Sequence, residues 1–165
     1  MMKKLFLPVI VLIAVLAMAV PAQAQVYKSA IGARLGYPLA ASYKTFFNES
    51  SAVEVYVGFR NWSGYGWFSV SGAYQKHAPI NGVEGLQWYW GLGASAFFWN
   101  FKSGYFTETY SSTSIGLQGY LGLDYKFANA PVSITADWIP TFFVNGYGNG
   151  FGGGYGTLGV RYVLN

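Results

Sequence analysis

The residues that could do chemistry are few, and their spacing argues against most of it. One histidine is present, His77, and there is no cysteine. A zinc site built from nitrogen and sulfur ligands therefore lacks its donors. Disulfides and a lipid-modified cysteine are excluded outright. A Ser-His-Asp triad would have to use His77, which lies near a connection and far along the chain from Asp124 and Asp137. No serine sits in a G-x-S-x-G elbow. Gly148-x-Gly150-x-x-Gly153 spells a dinucleotide fingerprint, but no βαβ context surrounds it. Seven glycines between 146 and 156 read instead as a loop. Asn48-Glu49-Ser50 and Asn61-Trp62-Ser63 match glycosylation sequons by letter, a pattern of little weight on its own. The expectation is no enzyme, no metal and no cofactor.

The remaining chemistry is electrostatic. Arg34, Lys44, Glu54, Arg60, Asp124, Lys126, Asp137 and Arg161 are ionic residues embedded in segments that otherwise alternate apolar and small. They form a candidate charge network, and the elements that must hold it follow from the alternation. Eight segments show period two, the signature of strands. They cover about 30–37, 39–47, 52–61, 67–75, 87–99, 115–127, 132–142 and 157–164. In the third, Val53, Val55, Val57 and Phe59 oppose Glu54, Tyr56, Gly58 and Arg60. In every segment the ions fall on the face opposite the large apolar side chains.

Composition limits how such a protein is solvated. Charged residues make up 10% and aromatic residues 20% of the chain, against roughly 25% charged in ordinary globular domains. A soluble barrel would need far more charge on its outer face. Met1-Met2-Lys3-Lys4, an uncharged run from Leu5 to Val20, and Pro21-Ala22-Gln23-Ala24 form a secretory signal peptide over 1–24. The run is too short to span a bilayer as a helix. The barrel domain then occupies 25–165, with eight basic and six acidic residues and net charge +2, and no basic patch for nucleic acid.

Polarity and topology together predict an all-β protein: an eight-stranded antiparallel up-and-down transmembrane barrel, greasy face outward and ions enclosed. Eight strands enclose a space that side chains just fill, so a filled lumen is expected. Glycines 32, 36, 58, 91, 93, 122 and 159 should face inward and leave room for Tyr56, Tyr89 and Tyr120. If Asn48 to Ser50 form a three-residue turn, Lys44 opposes Glu54. Arg34 and Arg161 then need acids across the lumen, with Asp124 and Asp137 as candidates. Pro140 is expected at the rim or at a bulge. Aromatics gather toward strand ends, as at a headgroup boundary.

The C-terminus reads Thr157-x-Gly159-x-x-Tyr162-x-Leu164, which resembles the outer-membrane insertion signal, although Asn165 stands where the common form ends in an aromatic. The whole chain after residue 24 resembles the small eight-stranded outer-membrane barrels of the OmpX-like and OmpA-transmembrane-domain-like kind. That resemblance implies the bacterial outer membrane, a monomer surrounded by membrane lipid, and delivery by the barrel-insertion machinery. A structural or surface-interaction role follows, with any surface ligand held by long loops at 100–114 and 145–156. The alternatives are a soluble lipocalin-like barrel binding an apolar ligand and a narrow channel.

Overall fold

The computed structural model describes residues 27–36, 39–61, 65–101, 110–145 and 150–164. The expected signal peptide over 1–24 lies outside them. Eight strands form one closed antiparallel barrel in sequence order. They are β1 (Ser29–Gly36), β2 (Leu39–Phe46), β3 (Ser51–Asn61), β4 (Tyr65–Pro79), β5 (Leu86–Phe101), β6 (Tyr110–Lys126), β7 (Val132–Phe143) and β8 (Gly150–Leu164). Closure comes from β1 against β8, from Ser29↔Leu164 to Gly36↔Thr157. Closing the sheet removes the edges that would otherwise need partners.

The connections after β2, β4 and β6 lie at the same end as both chain termini, here named the turn end. After β2, the Asn48 side chain accepts from the backbone N–H groups of Ser50 (3.1 Å) and Ser51 (2.7 Å). This Asx geometry builds the turn, and Phe47 N–H donates to the Ser51 carbonyl at 3.1 Å. The register is therefore the expected one, with Lys44 opposite Glu54.

Four strands, β4, β5, β6 and β8, are longer than the alternation indicated. β4 continues through Lys76, His77 and Ala78 to Pro79, so His77 is a strand residue and not part of a connection. A six-residue turn, 80–85, then suffices; its Gly82 and Gly85 take φ of +93° and +81°, which glycine adopts freely. β8 begins at Gly150. Most of the glycine stretch expected as a loop over 145–156 is thus strand, because β7 offers it a ladder from Trp138↔Gly156 up to Phe143↔Gly150. The expected loop over 100–114 contracts in the same way: Asn100 and Phe101 belong to β5, 110–114 to β6, and 102–109 lies outside the described residues.

Pro140 sits within β7, not at its rim. The β6–β7 pairing passes from Gln118↔Thr141 to Leu121↔Trp138 without registered pairs between them. A proline has no N–H to donate there, and Gly119 faces its ring, with Pro140 Cγ 3.2 Å from where a Cβ would stand. A register shift follows at once on the β8 side, between Thr141 and Phe142. The strand tolerates the proline beside a bulge.

Candidate functional site

The inward positions stack into layers. At the turn end Tyr27, Ala30, Phe46, Ala52 and Val163 form a small apolar cluster. The Tyr27 and Phe46 rings meet edge-on at 5.1 Å. His77 lies just above, stacked on Tyr89 at 4.8 Å, with Nδ1 3.1 Å from Gln87 Oε1.

The middle layer is ionic. It holds Arg34, Lys44 and Arg161 against Glu54, Asp124 and Asp137, three cations and three anions with side chains at 0–1% exposure in every ion pair. Glu54 Oε1 accepts from Arg34 Nη1 (2.8 Å) and Arg161 Nη2 (2.6 Å), while its Oε2 accepts from Gln75 Nε2 (2.8 Å). Asp137 accepts from Arg34 Nη2 at 2.7 Å and also from the Tyr89 and Thr157 hydroxyls. Asp124 Oδ2 accepts from Tyr27 OH at 2.6 Å and Lys44 Nζ at 3.2 Å, with Arg161 Nη1 at 4.0 Å. Arg34 also lies over the Tyr56 ring and Lys44 over the Tyr89 ring, at 4.8 and 4.5 Å. Burying an ion is expensive unless it is paired and its remaining bonds are met. The equal count satisfies the first condition, and the hydroxyls and amide largely satisfy the second.

Above this layer the bonding is neutral. Gln118 Oε1 accepts from Tyr56 OH (3.0 Å), Tyr120 OH (2.7 Å) and Ser95 Oγ (2.5 Å). Trp67, Phe97 and Phe143 close the lumen toward the other end, with ring centroids 5.2 and 5.3 Å apart. Glycines make space for the large rings. A Cβ at Gly122 would come within 2.7 Å of both Tyr89 Cζ and Asp137 Cβ, and one at Gly93 within 3.0 Å of Tyr120. Gly32 gives way to Arg161, whose backbone it opposes.

Six of the eight ionic residues singled out in the sequence meet in this layer, and two do not. Lys126 is the last residue of β6, too close to the end to reach the network. Its amine donates instead to the Phe127 and Ala130 carbonyls at 2.5 and 2.8 Å and ties the turn after β6. Arg60 is half-buried near the far end of β3, beyond the ionic layer. Lys44 and Glu54 are neighbours in register, yet Lys44 turns to Asp124, because two guanidinium groups already occupy Glu54. Tyr27, Gln75 and Thr135 complete the network and were missed. Gln75 and Thr135 share the ions' parity, a usable signal, whereas Tyr27 precedes the first strand and gave none. The C-terminal residues divide by face: Thr157 and Gly159 point into the lumen, Tyr162 and Leu164 outward.

The outer wall has the opposite character. Ile31, Leu35, Val55, Leu92, Leu117, Leu121, Ile134 and Val160 stand there with 43–67% of their surface exposed. Aromatics lie nearer the strand ends, among them Phe47, Tyr125, Phe127 and Tyr162 toward the turns. Phe59, Phe68, Phe98 and Phe142 lie toward the other end. Lys76 is a cation on this face, and its amine reaches Ser50 Oγ at the turn, 3.2 Å away.

A closed eight-stranded barrel with packed interior and apolar wall matches known architectures. Neither a protein-family model nor a curated protein matches the chain. The N-terminal β-barrel domain of Pseudomonas aeruginosa OprF superposes with TM-score 0.61 at 17% identity, over 82% of this chain and 94% of that one. Neisserial surface protein A superposes with TM-score 0.57, also at 17% identity, over 82% of this chain and 93% of that one. The fold is that of the small eight-stranded outer-membrane barrels. At this identity the likeness extends to architecture alone.

Proposed function

We propose that the protein is an integral barrel of the bacterial outer membrane, with a sealed lumen, no catalytic role, and its exposed contacts at the end opposite the turns. The observation that carries this reading is the inverted polarity. Six ions lie inside while Val55, Leu121 and Leu92 face outward. In water that wall would be a contiguous apolar patch far beyond what soluble monomers expose. Among acyl chains it is the stable arrangement, and closure leaves no unpaired backbone in the hydrocarbon. A lipocalin-like barrel needs the reverse orientation, with apolar side chains lining a cavity. The stacked layers, aromatic at both ends and ionic between, argue for a barrel that conducts nothing steadily.

Cell fractionation with a heat-modifiability gel tests the reading. The protein should remain with membranes after alkaline washing, and an unboiled sample should migrate differently from a boiled one. Release into buffer without detergent, together with a single band position, would remove the membrane assignment. Steady conductance of the purified barrel in a planar bilayer would remove the sealed lumen.

A further inference from the structure

The outer wall is not evenly filled. Across β6, β7 and β8 its outward residues lie in three registered rows. Leu121, Trp138 and Gly156 form one, Leu123, Ala136 and Leu158 the next, and Tyr125, Ile134 and Val160 the row nearest the turn end. The middle row dips at Ala136, whose side chain stops at Cβ between two leucines that stand 45% and 61% exposed. The row above dips at Gly156, where an added Cβ would meet nothing within 4 Å among the described residues. Trp138 does not fill that space, because its indole leans toward the far end and lies where a Gly154 Cβ would stand. The result is a furrow of two adjoining hollows, about 700 and 400 Å³, that share Leu35, Leu123, Ala136 and Leu158. Each is large enough to hold a small molecule or a lipid chain.

The lower hollow leads toward a polar end. Leu86 and Tyr125 line it and are paired in register. Their chain neighbours Gly85 and Lys126 line, with Glu84, a smaller pocket at the turn end, where the Lys126 backbone N–H donates to the Gly85 carbonyl at 2.9 Å. Lys126 and Glu84 thus bring one cation and one anion to the same pocket. The Phe127 and Ala130 carbonyls hold the Lys126 amine in place. They take two of its three N–H groups, which leaves a donor for a further acceptor. Glu84 is exposed.

We propose that this face of the barrel is a binding site for a zwitterionic phospholipid with a primary ammonium, one acyl chain lying in the furrow and the headgroup at the Lys126–Glu84 pocket. This rests on the reading of the barrel as membrane-embedded, which makes acyl chains the surroundings of the furrow. Charge decides the headgroup. A phosphate accepts from Lys126, and an ammonium a few bonds away donates to Glu84. A lipid with the phosphate alone meets Glu84 as a like charge. The outward side chains of the furrow decide the tail. They are hydrocarbon and indole, which suit an acyl chain, whereas a peptide laid there would leave its N–H and C=O groups unmet. A second barrel presents a convex wall, which bridges a furrow without filling it.

The test is native mass spectrometry of the full barrel released from detergent micelles, with phosphatidylethanolamine or phosphatidylglycerol of identical acyl chains added. The unaltered barrel should retain phosphatidylethanolamine about two- to fivefold more, the scale of one exposed ion pair. Glu84→Gln should bring the two lipids to equal retention. Ala136→Phe, which fills the furrow from the outer wall, should lower retention of both lipids and leave the preference between them. Equal retention by the unaltered barrel overturns the proposal, as does a preference that survives Glu84→Gln. So does retention that Ala136→Phe leaves untouched. A two-barrel mass that disappears in Ala136→Phe gives the furrow to a second copy and overturns it as well. The gel mobility of each variant reports barrel folding separately, and membrane fractionation reports the membrane reading. A folded, membrane-integral barrel that retains both lipids alike loses the phospholipid site alone.

Discussion

Glu54→Gln is the sharpest test of the ionic layer. The carboxylate takes two guanidinium groups at 2.6 and 2.8 Å and an amide at 2.8 Å, at zero exposure. Glutamine preserves volume and one acceptor oxygen, so packing changes little. The lumen, however, passes from three cations and three anions to three and two. Removing one partner of a buried pair costs about 3–5 kcal/mol, chiefly because the other charge is left uncompensated. Arg34 keeps Asp137 at 2.7 Å and Arg161 keeps Asp124 at 4.0 Å, which places the expected loss at the low end, near 3 kcal/mol. The assay is urea unfolding of the barrel in lipid vesicles, followed by tryptophan fluorescence and by the fraction of heat-modifiable protein. The companion is Glu54→Gln with Arg161→Met, which restores two cations, Arg34 and Lys44, against two anions, Asp124 and Asp137. If uncompensated charge is the cause, the double variant should be no less stable than the single, against simple additivity. A loss below about 0.5 kcal/mol for Glu54→Gln, which is within the range of surface substitutions, would refute the idea that the layer holds the barrel. A double variant that loses the sum of both single effects would refute the charge-balance account.

Three further outcomes follow from the same geometry. Leu121→Arg, on the outer wall at 51% exposure, should destabilise the vesicle-embedded barrel by about 2–4 kcal/mol, whereas Leu121→Ala should cost clearly less in the same urea titration. Gly122→Ala should cost about 1–3 kcal/mol by overpacking. The Tyr89 ring it would strike is fixed by its hydroxyl on Asp137, and the loss should lessen in a Tyr89→Leu background. Tyr162→Ser, on the outward face of the last strand, should slow assembly into the outer membrane while leaving refolded stability nearly unchanged, measured as the heat-modifiable fraction against time after induction.

The sequence made the faces legible and left the strand lengths obscure, for a physical reason. Alternation at Val53 to Arg60 has a unique solution, because a slip of one residue would put Glu54 among acyl chains. The same logic fixed Lys44 opposite Glu54 once the Asn48 turn was recognised. Glycine carries no such label. Gly150 to Gly156 alternate only with Phe151 and Tyr155, so the period vanishes although the ladder with β7 is intact. Read from sequence, the fourth segment stops at 75, yet β4 runs on through His77 to Pro79. Which anion each cation chooses was also beyond a register argument. Lys44 and Glu54 face each other, yet the long guanidinium groups of Arg34 and Arg161 reach Glu54 from β1 and β8 and displace the neighbour. Such competition across the lumen depends on side-chain reach in three dimensions and leaves no trace in spacing.

Strand length then bears on what the barrel is for. About 9–11 tilted residues cross the hydrocarbon, and among the described residues β1 and β2 supply eight each. β5 and β6 have sixteen and seventeen residues, a surplus that crossing does not require. That surplus cannot draw stability from acyl chains. It needs a core of its own, and the inward rings of Trp67, Phe97 and Phe143 from β4, β5 and β7 provide one, with Trp99 packed against them. Such a core costs ordering entropy in a region that does not hold the ionic layer. A barrel needed only as a membrane plug could end where about 9–11 residues have crossed. The taller side, built by β5 and β6, is where selection for contact with another molecule would act.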